Sequence, residues 1–172
     1  MEMFAVSDVD LVARLSFAVL MGLLVGAERS RVGKRAGMRT YALVSLGAAL
    51  FVIIAGVVSV AYAETFVFDP LRVASQIVVG IGFLGAGVIY VQRQLLTGLT
   101  TAAGLWVVAG IGIACGYGLY TIAAFVTFVV LFIFEVLWYV EERFVRTART
   151  DLEEDFLESA RKPRQHHEDE ES

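Results

Sequence analysis

The chain is poor in residues that staple a fold, break a helix or carry charge into a core. Its 172 residues include one cysteine, Cys115, so no disulfide can form within it and thiol usage says nothing of redox compartment. The two prolines, Pro70 and Pro163, lie outside the apolar runs and leave those runs free to be helical. Charge is sparse: 19% of residues are charged, against about a quarter in an average soluble domain. The N-terminus, MEMFAVSDVD, lacks the basic region of a secretory leader, so the first apolar run is expected to be a retained helix. HExxH, intramembrane-protease motifs and a Walker lysine are also missing. GIGFLGAG, from Gly80 to Gly87, resembles a dinucleotide loop only superficially, because it sits within an apolar span rather than at a strand–turn–helix junction. We expect no catalytic residues, no enzyme, no cofactor and no nucleic-acid partner.

What remains is 58% hydrophobic, with a mean hydropathy of +0.71. Long apolar runs separated by charged clusters indicate an all-α, polytopic helical membrane protein of about five transmembrane helices. The runs are Leu11–Ala27, Tyr41–Ala63, about Leu71–Gln92, about Leu99–Gly116 and Tyr120–Val140. In the first, Gly22 and Gly26 form a small-xxx-small pair suited to close helix packing, and Arg14 can snorkel toward the interface. Asp69 before Pro70 reads as an N-cap followed by proline at the first helical position. GYGLY joins the last two runs as a tight turn, and Trp138 and Tyr139 suggest an interfacial belt.

Basic residues set the expected sidedness. Arg29, Arg31, Lys34, Arg35 and Arg39 cluster between the first two runs, and alternation puts Arg93, Arg143, Arg146 and Arg149 on the same side. The positive-inside rule then gives N-terminus out and C-terminus in. We divide the chain into a transmembrane domain over 1–142 and a charged cytoplasmic tail over 143–172. From Glu141 onward eleven acidic residues oppose six basic ones, and beyond Pro163 the composition predicts disorder. His166 and His167 lie beside four acids there, without preorganised geometry, and no metal ligand set can be named.

The segment from Arg72 to Trp106 organises the rest. Gly80, Gly82, Gly85 and Gly87 lie in one apolar run, although each glycine in a helix exposed to water costs about 1 kcal/mol relative to alanine. In a bilayer such residues let backbones approach, so the spacing predicts a hairpin buried among other helices, with Trp106 packed there too. Arg72, Gln76, Gly80, Phe83 and Gly87 share a helical face that should point into protein or a wet vestibule, as either a polar pocket or an interhelical hydrogen-bonding face. Thr97, Thr100 and Thr101 open the next helix and could cap it, bond across helices, or border an anion site. Glu28 is either an ionisable group at a cavity mouth or an interfacial carboxylate paired with the basic loop. That loop could itself hold an anionic lipid head group or a phosphate.

Three stretches together carry a resemblance: GLLVGAERSRVGKRAGMRTYALVSLGAALF, DPLRVASQIVVGIGFLGAGVIY and GLTTAAGLW. In this order and spacing they resemble the membrane domain of the MgtC/SapB family, over roughly Gly22–Tyr139. The resemblance implies a multi-pass protein of a bacterial or archaeal inner membrane, associated with adaptation to low magnesium, acid stress or life inside host cells. It implies candidate functional positions at Glu28, Arg29, Gly37, Arg39, Thr40, Asp69, Arg72, Gln76, Thr100 and Thr101, beside the four glycines and Trp106. The expected role is a non-enzymatic modulator of other membrane proteins, with membrane lipids and either itself or another membrane protein as partners. The alternative is a small transporter or channel for magnesium or another solute. Many family members carry a C-terminal ligand-binding domain that the short acidic tail here cannot form.

Overall fold

A computed structural model of the chain describes residues 7–62, 69–92, 95–136 and 139. Glu64, Arg93, Trp138, the arginines from Arg143 onward and the whole tail lie outside the described residues, as does the loop between the second and third helices. Two compact units are distinguished, Met1–Leu131 and Phe132–Ser172. Within the second, the described residues are the last turn of a helix and Tyr139.

Five helices follow in order: α1 (Asp8–Arg31), α2 (Met38–Ala61), α3 (Pro70–Val88), α4 (Leu99–Gly116) and α5 (Tyr120–Val136). The first four are each long and apolar enough to cross a membrane. At 1.5 Å per residue, the 24 residues of α1 reach about 36 Å, more than the ~30 Å of bilayer hydrocarbon. That length corrects the expected first run: the helix extends through its charged ends, from Asp8 to Arg31. Ser7 caps its start, its hydroxyl accepting from the Asp10 amide at 3.4 Å. The turn into α2 is short because Gly33 takes a left-handed φ of 68°. The Ser30 hydroxyl then accepts from the Met38 amide at 3.2 Å. Asp69 caps α3 through a 2.9 Å bond from the Leu71 amide, with Pro70 at the first position, as the sequence indicates.

Packing is densest between α1 and α2 and between α2 and α4; α3 packs on α4 and barely meets α2. Glycine makes the close approaches possible. A Cβ on Gly22 would lie 2.7 Å from the Tyr41 carbonyl oxygen, and one on Gly26 would lie 2.6 Å from Met38 Cα. Across the other face of α2, a Cβ on Gly116 would come within 2.8 Å of Val52 Cβ, and one on Gly112 would strike the Ser45 carbonyl. Around these contacts sits the core: Val25, Tyr41, Val52, Leu105, Val108 and Cys115 are all fully buried.

The structure corrects the expected place of α3. Gly80, Gly82 and Gly87 face open space, and only Gly85 meets a neighbour, Ala102 of α4 at 3.6 Å. The glycine-rich helix therefore lies at the edge of the helices described, and α4 is the buried one. Trp106 is likewise exposed. The glycines that let backbones meet are those of α1 and α4 facing α2, so α3 packs mainly on α4 and leaves its other sides open.

A second correction concerns the junction of α3 and α4. The third run does not stay helical to Gln92; it turns into a strand pair, β1 (Tyr90–Gln92) and β2 (Leu95–Thr97), antiparallel with Tyr90 opposite Thr97. Thr97 belongs to that ladder, its hydroxyl donating to the Tyr90 carbonyl at 3.1 Å, and does not cap α4. Gly98 holds the cap position at a φ of 90°, where a Cβ would strike the Val88 carbonyl. The GYGLY turn behaves as expected, with Gly118 at a φ of 76°. On α5, Ala123 and Thr127 are buried while Phe125 and Phe128 are exposed, giving one inward and one lipid-type face.

The glycine contacts can be tested by size. Gly22→Leu and Gly116→Leu should each lower stability in detergent by about 1–3 kcal/mol or more, because the clash is with backbone or a packed side chain. Gly82→Leu should stay within about 0.5 kcal/mol of the unsubstituted chain, since its position is open. Thermal unfolding followed by tryptophan fluorescence reads both.

Candidate functional site

Polar side chains gather at the two ends of the bundle, and a groove connects the two ends. At the end where α1 finishes, Glu28 and Arg29 are 8% and 3% exposed and form a two-pronged ion pair. Arg29 Nε donates to Glu28 Oε2, and Nη2 donates to Oε1 at 2.6 Å. Adjacent residues on a helix point about 100° apart, so long side chains must fold toward each other to meet, and burial makes that worthwhile. Tyr41 sits beside the pair, and its hydroxyl donates to the Thr101 carbonyl at 3.3 Å, tying α2 to α4. Thr101 is buried with it, whereas Thr100 is exposed. Glu28 is thus paired with a residue of the basic cluster, but the pair is buried rather than interfacial.

At the opposite end Arg14 is buried, which corrects the expectation that it reaches for the interface. Its Nε donates to Asp10 Oδ2 at 2.7 Å and its Nη1 to the Gly116 carbonyl at 3.0 Å. The second bond satisfies an orphan carbonyl and sets a cation at the negative end of the α4 dipole. Tyr120 joins from α5, donating to Asp10 Oδ1 at 3.4 Å and stacking edge-on against Phe17. In the adjoining turn, burial and then the Asp69 carboxylate raise the Tyr117 phenol above its usual pKa, so it stays neutral there.

Between α2 and α3 runs a groove of about 1090 Å³. Arg39 and Thr40 line one mouth, Arg72 and Gln76 the other, and Ala109 of α4 forms part of its floor. The middle is apolar, lined by Leu43, Gly47 and Phe51 on α2 and Ile77, Gly80 and Leu84 on α3. Of the expected α3 face, Arg72, Gln76 and Gly80 turn into this groove, whereas Phe83 points away from it and is 82% exposed. Glu28 does not line the groove that Arg72 and Gln76 border. Arg35 of the basic loop lies over the Tyr90 ring, 4.4 Å from its centre, and links that loop to the strand pair. Among the described residues, no three His, Cys, Asp or Glu side chains gather as a metal site would require.

The sequence reading missed Asp10, Tyr41 and Tyr120. Asp10 and Arg14 stand four residues apart on α1, and that spacing was the available signal. Nothing in the sequence marks Tyr41, which reads there as the first residue of an apolar run.

The MgtC family model matches residues 15–143. The chain is 42% identical over 98 residues to the Escherichia coli (strain K12) protein named "Putative magnesium transporter YhiD", covering 56% of this chain and 46% of that one. It is 46% identical over 94 residues to Protein MgtC of Salmonella typhimurium, covering 55% and 38%. It is 47% identical over 93 residues to Protein MgtC of Brucella abortus, covering 54% and 37%. The chain thus spans less than half the length of these curated relatives. No solved structure matches it.

The buried end clusters make a quantitative expectation. Glu28→Gln removes the carboxylate facing a buried guanidinium and should cost about 3 kcal/mol, while Tyr41→Phe should cost about 1 kcal/mol. Thr100→Ala, on an exposed hydroxyl, should be neutral. Chemical denaturation in micelles distinguishes the three.

Proposed function

The chain belongs to the MgtC family, and from that premise we propose that it modulates other membrane proteins through helix contacts, without catalysing a reaction. We place it as a multi-pass protein of a bacterial or archaeal plasma membrane, with its basic α1–α2 turn in the cytoplasm. The link to magnesium limitation, acid stress or virulence adaptation rests on the family resemblance.

The observation that carries this reading is the bare outer face of α3. Ser75, Val79, Gly82, Phe83 and Ala86 are all exposed, and they fall on one side of the helix, away from both α4 and the groove. Gly82 and Ala86 form an exposed small-xxx-small pair, and among the described residues nothing stands where a Cβ on Gly82 would go. Such a pair favours a helix from another chain, because van der Waals contact between backbones is what drives association where lipid removes the hydrophobic term.

A magnesium transporter or channel, the role in the name of the Escherichia coli relative, fits the site less well. Divalent cations take hard oxygen ligands, whereas among the described residues the groove is lined by two arginines and no carboxylate. Liposomes holding the purified protein and a magnesium-sensitive dye should show no flux above empty liposomes; a saturable flux would favour transport instead.

Two experiments address the proposal itself. After crosslinking and purification in mild detergent, the unsubstituted chain should carry a reproducible membrane partner, or a second copy of itself, that Gly82→Leu loses. A strictly monomeric, partner-free chain overturns the reading. Sidedness is open to cysteine labelling, since the native Cys115 is buried and silent. Lys34→Cys should react with an impermeant maleimide only from the cytoplasmic side, and Tyr62→Cys only from the other.

A further inference from the structure

The α2–α3 groove has a form that the modulator role does not call for. It opens sideways: Leu43 and Phe51 on one wall are exposed along the height of the helix, so its long side meets the acyl region of a bilayer. From Arg39 to Val58 the groove-lining part of α2 rises about 28 Å, close to the ~30 Å of the hydrocarbon layer. Its volume exceeds the ~300–1,000 Å³ usual for small-molecule sites, and its walls are aliphatic except at the mouths. A soluble anion would have to leave water to enter such a slot.

The mouths supply the second, independent observation. Arg39 and Arg72 each stand at one end, and among the described residues neither is joined to a carboxylate by an ion pair. The other arginines of the two ends differ. Arg14 and Arg29 are buried and paired, and Arg35 lies on Tyr90. Thr40 beside Arg39, and Gln76 one turn from Arg72, add hydrogen-bond donors at the same heights. Two unpaired guanidiniums at head-group depth, with an apolar slot between them, are complementary to molecules that carry a phosphate at the surface and hydrocarbon inside.

We propose that this groove seats anionic phospholipid, with its phosphate on Arg39 and Thr40 and its acyl chains against Leu43, Gly47 and Leu84. A second molecule from the opposite leaflet occupies the Arg72 and Gln76 mouth in the same way, because one acyl layer fills about half of the height. The mouth at Arg39 is the stronger of the two, since Lys34 and Arg35 lie in the turn just before it and anionic surfaces attract such clusters. The proposal rests on the chain spanning a membrane and is independent of any protein partner on the outer face of α3.

Gly47 and Gly80 make the groove testable without unfolding the protein, because both line it and both have open space where a Cβ would go. The unsubstituted chain, Gly47→Leu/Gly80→Leu, Arg39→Gln and Gly82→Leu are purified in mixed micelles with phosphatidylglycerol or phosphatidylcholine of the same acyl length, and examined by native mass spectrometry. The unsubstituted chain should retain phosphatidylglycerol roughly fivefold better than phosphatidylcholine, the preference one well-placed arginine provides. Arg39→Gln should lower that preference, leaving only the part carried by the Arg72 mouth, while keeping phosphatidylcholine. The double glycine variant should lose both lipids while melting normally in lipid-free micelles, and Gly82→Leu should keep them. Equal retention of the two lipids, or unchanged adducts in the double variant, overturns the proposal. A lipid-free dimer that the double variant dissolves overturns it in favour of a second copy in the groove.

Discussion

Everything in this bundle depends on how closely α2 can approach its two neighbours. Gly22 and Gly26 bring α1 against the start of α2, and Gly112 and Gly116 bring α4 against its other face. In lipid there is no water to expel between helices, so contact area and the absence of a Cβ decide which surfaces meet. Once those three helices are drawn together, the polar groups at their ends are confined to small spaces and must pair. The Glu28–Arg29 cluster with Tyr41 closes one end, and Asp10, Arg14 and Tyr120 close the other. α3 packs on α4 but barely meets α2, and that leaves both a bare helix face and a groove.

These two features divide the molecule's outward chemistry. The side of α3 that bears Gly82 and Ala86 is smooth and uncharged, suited to another helix. The side that bears Gly80 is concave, with a cation at each end. Membership of the MgtC family and the relatives' names fix the general setting but not which surface is used, because identity extends over little more than half of this chain.

The helices and their order are legible in the sequence, since long uncharged runs between charged turns have few other meanings in physical terms. Local signals held as well: Asp69–Pro70 starts α3, and the glycines of the GYGLY turn accept a positive φ. Two judgements failed for a shared reason. A glycine-rich run suggests a hairpin buried among other helices, yet Gly80, Gly82 and Gly87 face outward, whereas Gly112 and Gly116 in a less conspicuous pattern make the contacts. Glycine content shows what a helix permits; which neighbour takes advantage of it is a property of the whole bundle. Arg14 failed likewise, because its acceptor is the carbonyl of Gly116, 102 residues away, which no local pattern announces. The strand pair at Tyr90–Thr97 escaped notice because three residues per strand are too few for alternation to register.

Among the described residues the two ion pairs each join residues of the same helix, Asp10 with Arg14 and Glu28 with Arg29. This bears on how the protein is made. A single charge at the centre of an inserting helix carries a penalty of about 2.5–3.5 kcal/mol, smaller toward its ends. In α1 Arg14 and Arg29 each have a counterion within about one turn, so the segment enters the bilayer with these two charges already compensated, before α2 has left the ribosome. Later helices then supply only the remaining hydrogen bonds, such as the Gly116 carbonyl for Arg14. The first helix is thereby independent of the rest for its insertion, and the rest is assembled upon it.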